Sequence, residues 1–149
     1  MTYHYFLGAN GGAGFQSVYE PFLAPDRNYD ILILKGGPGA GKSSFMKYIG
    51  KKAEEAGEEV EYIWCSGDPD SLDAVRLPRV GVIAVDGTNP HVAEPKYPAA
   101  VDRYINLGEF YNIEACKASR EDIIRCTDQY KAAYVRAYHA LSAAASVED

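Results

Sequence analysis

The residues with the clearest chemistry form one continuous stretch, Gly36-Gly37-Pro38-Gly39-Ala40-Gly41-Lys42-Ser43. Its spacing fits G-x-x-x-x-G-K-[ST], in which glycines let successive backbone N–H groups point at phosphate oxygens. Lys42 can then reach the β- and γ-phosphates of a nucleotide, and the Ser43 hydroxyl can bind Mg²⁺. The alternative is a glycine-rich turn that only joins a strand to a helix. The residues predicted to bind the nucleotide are Gly36, Gly37, Pro38, Gly39, Ala40, Gly41, Lys42, Ser43 and Ser44.

A carboxylate that could hold the same metal ion follows a second apolar segment. Residues 80–85 are mostly β-formers, and Asp86 comes directly after them. An acidic residue at the end of such a strand can bind Mg²⁺ directly or through water, beside Ser43. The sequence therefore predicts that Ser43 and Asp86 form the metal site. The alternative for Asp86 is a residue that only initiates a turn.

Three further carboxylates, those of Asp68, Asp70 and Asp73, follow the segment 59–65. One of them, with Asp68 as the first candidate, can orient a water molecule or accept a proton from a substrate hydroxyl. Turn and helix-capping chemistry explains Asp70 and Ser71 equally well. Lys42, Asp86 and Asp68 are thus the candidate catalytic residues. Secondary candidates for contacts with the γ-phosphate are His91, Arg76, Arg79 and Arg103.

The elements around these residues predict an α/β fold. Residues 29–34 are an unbroken apolar strand before the glycine-rich stretch, and a helix is predicted over 42–56, with Gly57 as its left-handed cap. Further strands are predicted near residues 62 and 83, and a short one over 3–7. Residues 8–14 are predicted to be a flexible turn and 71–76 one or two helical turns. Because helical crossovers join parallel strands, we expect a mainly parallel sheet in a three-layer P-loop NTPase core.

The last part of the chain predicts one long helix of about 25 residues that begins near Ser119. Its apolar residues recur at helical spacing on one face, and they include Ile123, Tyr130, Tyr134 and Leu141. This stripe is longer than a small sheet can cover. We therefore expect it to pair with a second copy of the chain, as a homodimer, or with a further half of a longer protein.

Composition limits the class of protein. The length of 149 residues predicts one domain over residues 1–149, and the net charge of −6 argues against a general nucleic-acid binder. No apolar run is as long as a membrane span, and the first residues do not resemble a signal peptide. Three cysteines without metal-ligand spacing are typical of reduced thiols, so a cytoplasmic location is expected.

Several strings resemble those of an uncharacterised bacterial family, mainly from Firmicutes, that is identified as P-loop ATPases by its Walker motifs. They are the phosphate-binding stretch, Phe6-Leu7-Gly8-Ala9-Asn10, Cys65-Ser66-Gly67-Asp68-Pro69-Asp70-Ser71-Leu72-Asp73 and Asp86-Gly87-Thr88-Asn89-Pro90-His91-Val92. The resemblance implies a P-loop fold and ATP binding. Because members of the family have a second P-loop half, it also implies that this chain corresponds to the N-terminal half of a longer tandem protein.

Three functions remain open from the sequence. The first is an ATPase that binds Mg–ATP and hydrolyses it slowly, coupled to a partner or a conformational change. The second is a kinase that transfers the γ-phosphate to a small molecule through Asp68 or Asp70. The third is a nucleotide-sensing module without hydrolysis. The chain has no N-K-x-D sequence typical of guanine recognition, which favours ATP over GTP.

Overall fold

The computed structural model describes residues 1–23, 29–88 and 93–148. The strands are β1 (Thr2–Phe6), β2 (Gly8–Gly11), β3 (Gly14–Ser17), β4 (Asp30–Lys35), β5 (Val60–Trp64), β6 (Leu72–Leu77), β7 (Val82–Asp86) and β8 (Asp102–Asn106). The helices are α1 (Tyr19–Phe22), α2 (Lys42–Glu55), α3 (Ile113–Ala118) and α4 (Arg120–Glu148), and a 3₁₀ turn spans Leu107–Phe110. The described chain is therefore α/β with a long C-terminal helix, as expected.

The main sheet has six strands in the order β1-β5-β6-β7-β4-β8. β1 pairs with β5 in parallel, and β4 pairs in parallel with both β7 and β8. β6 is antiparallel to its neighbours β5 and β7, so it alone runs against the other five strands. The sheet is mixed, which corrects the expectation of a mainly parallel sheet.

The strand β6 also corrects the prediction of helical turns over residues 71–76. Leu72, Ala74 and Val75 are fully buried between β5 and β7. Ile63 of β5 pairs with Ala74, but the next residue, Trp64, pairs with Leu72, so Asp73 is an extra residue, as in a β-bulge. Burial between two neighbouring strands outweighs the local helix signal of the Ser, Asp and Ala residues.

The β4–α2 unit agrees with the sequence. The chain leaves β4 at Lys35, turns through residues 36–41 and enters α2 at Lys42. α2 ends in a Schellman motif, in which Gly57 has a φ of +78° and donates to the Glu54 carbonyl while Glu58 donates to the Ala53 carbonyl. Residues 8–14 differ from the prediction of a flexible turn, because they belong to the β2–β3 hairpin.

Two separate apolar clusters fix the sheet from its two sides. On one side Met46 and Ala53 of α2 pack against Leu34, Val60 and Ala84. The cluster on the other side contains Tyr19 and Phe22 of α1 and buried strand residues, with Phe15 of β3 packed against it. The carboxyl ends of β4, β7 and β8 are level, since Leu34 pairs with Asp86 and Lys35 with Asn106. These ends form the edge at which the predicted site residues meet.

The helix α4 is largely exposed, with only Tyr134 and Tyr138 half-buried among its described side chains. It packs against the β2–β3 hairpin, where a Cβ on Gly12 would lie 2.8 Å from the Ala145 Cβ. The N-terminal half of the predicted stripe stays uncovered, with Ile123 46% and Tyr130 61% exposed. No helix in the described part of the chain is long and apolar enough to cross a membrane.

Candidate functional site: a phosphate loop at the edge of the sheet

Residues 36–43, hereafter the phosphate loop, have a backbone that only glycine adopts easily. Gly36 has a φ of +151°, and Gly41, at the N-terminus of α2, has a φ of +90°. A Cβ on Gly36 would also lie only 2.8 Å from the Ala40 Cβ. The loop therefore depends on its glycines for shape, which is the property that a backbone cradle for phosphate needs.

Lys42 folds back over the phosphate loop. Its ammonium donates to the Gly36 carbonyl at 2.6 Å and to the Gly37 carbonyl at 3.2 Å, and it lies 3.6 Å from the Asp86 carboxylate. The residue is only 8% exposed. Three oxygen atoms, two from loop carbonyls and one from Asp86, therefore surround the buried ammonium.

The Asp86 carboxylate connects Lys42 with the turn after β7. Its Oδ1 atom accepts from the Thr88 backbone N–H at 2.9 Å and from the Thr88 hydroxyl at 2.5 Å, while Oδ2 faces Lys42. Lys35 supports the same segment by donating to the Gly87 carbonyl at 2.7 Å. Asp86 therefore initiates a turn, and its second carboxylate oxygen faces Lys42 of the phosphate loop. Its role as a metal ligand stays a prediction.

Ser43 is anchored to the start of β6. Its Oγ atom accepts a hydrogen bond of 2.9 Å from the Leu72 backbone N–H. A hydroxyl oxygen has two lone pairs, so one remains to bind a metal ion. The donor set of one hydroxyl and one carboxylate suits Mg²⁺, which takes few protein ligands and completes its shell with phosphates and water. Within residues 1–23, 29–88 and 93–148 no group of three or more His, Cys, Asp or Glu residues is placed to hold a metal ion.

Asp68 belongs to a turn over residues 68–71, hereafter the Asp68 turn, which packs beside the phosphate loop. Its carboxylate accepts from the Ser71 hydroxyl at 2.6 Å and from the Asp70 backbone N–H at 3.3 Å. Lys47 of α2 donates to the Asp70 carbonyl at 2.5 Å and fixes the turn against the helix. Asp68 is therefore next to the site, but in this conformation its carboxylate stabilises its own turn.

The three candidate arginines lie away from the phosphate loop. Arg76 is near the C-terminal end of β6, where its Nε atom donates to Glu61 at 2.5 Å. Arg79 lies 3.8 Å from Glu58, and Arg103 lies 3.1 Å from Asp30, at the start of β4. Asp30 is at the strand end opposite to the phosphate loop, so Arg103 does not reach the site in this conformation. His91 lies outside the described residues.

Two groups near the site were not found from the sequence. Tyr19 of α1 donates a hydrogen bond of 2.9 Å to the buried Asp73 carboxylate, and burial with this nearby charge raises the pKa of Tyr19. Tyr111 follows the 3₁₀ turn, and its hydroxyl lies 2.9 Å from the position of a Cβ on Gly37. The sequence predicts no element for residues 101–110, where the structure has β8 and the 3₁₀ turn. Asn106 and Gly108, a pair typical of a tight turn, are the signal that could have located the turn.

A chain of contacts leads from the Asp68 turn to α4. Asn10 of β2 donates to the Ser66 carbonyl at 3.3 Å and accepts from the Tyr138 hydroxyl at 2.6 Å. Tyr134 approaches the same segment, since its hydroxyl lies 2.6 Å from the position of a Cβ on Gly67. A hydrogen bond with Tyr130, together with burial, raises the pKa of Tyr134 to about 12. The helix is thus connected with the edge that carries the site.

No protein-family model, curated protein or solved structure matches the chain.

Proposed function

We propose that the chain binds Mg–ATP at the phosphate loop and hydrolyses it slowly, on a P-loop NTPase core. The observation that carries this proposal is the position of Lys42. Its ammonium lies inside a loop made of glycine-dependent backbone, between loop carbonyls and the Asp86 carboxylate. A lysine at this place exchanges carbonyl oxygens for phosphate oxygens without leaving its position.

The residues of the site have separate roles in this proposal. The backbone of residues 36–43 and Lys42 bind the phosphates, and Ser43 with Asp86 holds the magnesium ion. When bound, the ion neutralises charge on the β- and γ-phosphates. Thr88 orients the Asp86 carboxylate through two hydrogen bonds, which keeps one oxygen directed towards the loop. Binding, rather than fast chemistry, is what this arrangement supports best.

Hydrolysis should be slow because the Asp68 carboxylate is occupied by hydrogen bonds within its own turn. The carboxylate must release the Ser71 hydroxyl and the Asp70 N–H before it can orient a water molecule or accept its proton. The arginines that could stabilise charge on a transferred phosphoryl group are paired elsewhere in the described chain. The same observations favour a second candidate function, a nucleotide-sensing module that binds ATP and does not hydrolyse it.

The contacts around the site support coupling between the nucleotide and α4. A metal ion on the second lone pair of Ser43 Oγ would share this atom with the backbone N–H of Leu72, the residue that directly follows the Asp68 turn. That turn is attached to α2 through Lys47, and the preceding Ser66 is attached to Asn10 and thereby to Tyr138 of α4. We infer that nucleotide binding shifts the turn and, with it, the surface that α4 offers to a partner.

The experiment that tests the reaction follows the γ-phosphate of labelled ATP during incubation with the chain, alone and with a pool of small metabolites. The expected result is slow release of inorganic phosphate at the same rate in both incubations. Transfer of the label to an organic acceptor would contradict hydrolysis and indicate a kinase. Binding of ATP with no release of label would contradict hydrolysis and favour the sensing module.

A further inference from the structure

The segment after β8 lies beside the phosphate loop and offers an aromatic ring that the proposed phosphate chemistry does not use. β8 runs parallel to β4, and Asn106 at its end pairs with Lys35, directly before the loop. The following 3₁₀ turn packs on the loop itself. A Cβ on Gly36 would lie 3.4 Å from the Gly108 nitrogen and 3.6 Å from the Leu107 carbonyl carbon.

Tyr111 extends this contact along the loop. Its hydroxyl lies 2.9 Å from the position of a Cβ on Gly37, while its ring edge lies 3.8 Å from that on Gly108. The ring therefore spans the space between the 3₁₀ turn and the phosphate loop. β8 and β7 flank β4 on its two sides, so this segment and Asp86 lie on opposite sides of the loop.

Phe110 ends the 3₁₀ turn directly before Tyr111 and is 81% exposed, more than most large apolar side chains of the described chain. Its backbone is held in place by local bonds. The Asn106 carboxamide accepts from the Gly108 N–H at 3.0 Å, and the Tyr111 N–H donates to the Gly108 carbonyl at 3.3 Å. A free aromatic face on a fixed turn, next to a phosphate cradle, is what stacking of a nucleobase requires.

We propose that Phe110 stacks on the base of the nucleotide and that the segment Asn106–Tyr111 is the base-binding wall of the site. This inference rests on the proposed function, because the base can reach Phe110 only when the phosphates occupy the loop. Stacking uses the face of the base and not its edge, so the wall accepts ATP and GTP alike. Phe110 thus contributes affinity for the nucleoside part of the ligand.

The test compares Mg–ATP with inorganic triphosphate, which has the same phosphates and no base. We expect Phe110→Ala to weaken ATP binding by roughly 5- to 150-fold, the range that corresponds to loss of one stacked aromatic ring. Triphosphate binding, measured by competition against a fluorescent ATP analogue, should stay within about twofold. Phe110→Trp should restore ATP affinity. Because the side chain is exposed, the variant should keep its melting temperature.

The matched control is Phe6→Ala. Phe6 is also an exposed phenylalanine at a strand end, 55% exposed, but it is on the opposite edge of the sheet, about 24 Å away across five strand spacings. The control should bind both ligands as the unmodified chain does. If Phe110→Ala lost affinity for ATP and for triphosphate equally, the stacking role would be overturned, since the residue would then act through the phosphate loop.

A second variant separates this inference from the proposed function. Lys42→Ala should weaken both ligands. If Phe110→Ala binds ATP normally while Lys42→Ala does not, Phe110 does not stack on the base, whereas phosphate binding by the loop is still supported. If Lys42→Ala binds both ligands normally, or the unmodified chain does not bind ATP, the proposed function is contradicted. The proposal that Phe110 stacks on the base is then contradicted as well.

Discussion

At the scale of single residues, the central feature is a buried lysine that has oxygen partners before any ligand arrives. The two loop carbonyls and the Asp86 carboxylate compensate the ammonium, which would otherwise be costly to bury. Phosphate oxygens offer stronger, charge-assisted bonds than the carbonyls do. We therefore propose that phosphate oxygens replace the two carbonyls around the ammonium when a nucleotide binds.

Asp86→Asn tests the metal role at this scale. An asparagine keeps an oxygen for the two bonds from Thr88, so the turn should be preserved, but the charge that would face the proposed magnesium ion is lost. We expect the stabilisation of ATP binding by Mg²⁺ to fall by about 1.5–3 kcal/mol, whereas binding without metal should change little. The measurement is a titration of ATP in Mg²⁺ and in EDTA.

The control for this variant is Asp128→Asn, an exposed carboxylate on α4. It should show the Mg²⁺ dependence of the unmodified chain. If the Mg²⁺ dependence of ATP affinity were unchanged in Asp86→Asn, Asp86 would only initiate the turn and would not bind the metal ion.

At the scale of elements, a partly buried ion pair joins β5 and β6. Glu61 and Arg76 are directly paired in the register, and their side chains lie 2.5 Å apart. Burial alone would raise the pKa of Glu61, but hydrogen bonds from Arg76 and Tyr5 outweigh it and lower the pKa. The guanidinium also packs over the Phe22 ring, 4.9 Å from its centroid, and so connects the sheet with α1.

This lowered pKa predicts a pH dependence of stability. Because the folded pKa is below the unfolded value of about 4.3, the contribution is present at neutral pH and is lost as the pH falls through the folded pKa. Glu61→Gln should therefore cost about 1–3 kcal/mol of unfolding free energy at pH 7, and the difference should shrink in acid. Urea unfolding at pH 7 and pH 3 measures it.

Asp128→Asn, an exposed residue in the interior of α4, is the control and should unfold as the unmodified chain does at both pH values. A loss in Glu61→Gln that is the same at pH 7 and pH 3 would mean that the pair does not stabilise the sheet through its charge.

How much the sequence could predict depends on whether a feature is local. The phosphate loop, α2 and its Gly57 cap are determined by neighbouring residues, and they lie where the pattern placed them. The direction of β6 is not local, since it results from burial between β5 and β7. The contact of Tyr111 with Gly37 joins residues that are far apart in the chain, so no spacing pattern could reveal it.

At the scale of the whole molecule, α4 is the element with the most uncovered apolar surface. Its 29 residues extend about 44 Å, and the C-terminal half of its apolar stripe packs on the hairpin. The other half, with Ile123 and Tyr130, faces solvent among the described residues. A helix of this kind gains stability by covering its stripe with another surface.

We therefore expect the 149-residue chain to self-associate, as a dimer, at micromolar concentration. Sedimentation velocity over a concentration series measures the association, and Tyr130→Lys should weaken it because a charge then enters the stripe. Lys131→Glu, a change on the polar face, is the control. A monomer at all concentrations would contradict this expectation and leave the stripe without a role in self-association.

The most direct test of the account is calorimetric titration of Mg–ATP and AMP into the chain, into Lys42→Ala and into Lys51→Ala, an exposed lysine of the same helix. The account predicts saturable ATP binding that Lys42→Ala weakens by about 1.5–3 kcal/mol, roughly 10- to 150-fold. AMP binding should change little, because Lys42 meets only the distal phosphates, and Lys51→Ala should match the unmodified chain. Equal ATP affinity of Lys42→Ala and the unmodified chain would contradict the central claim.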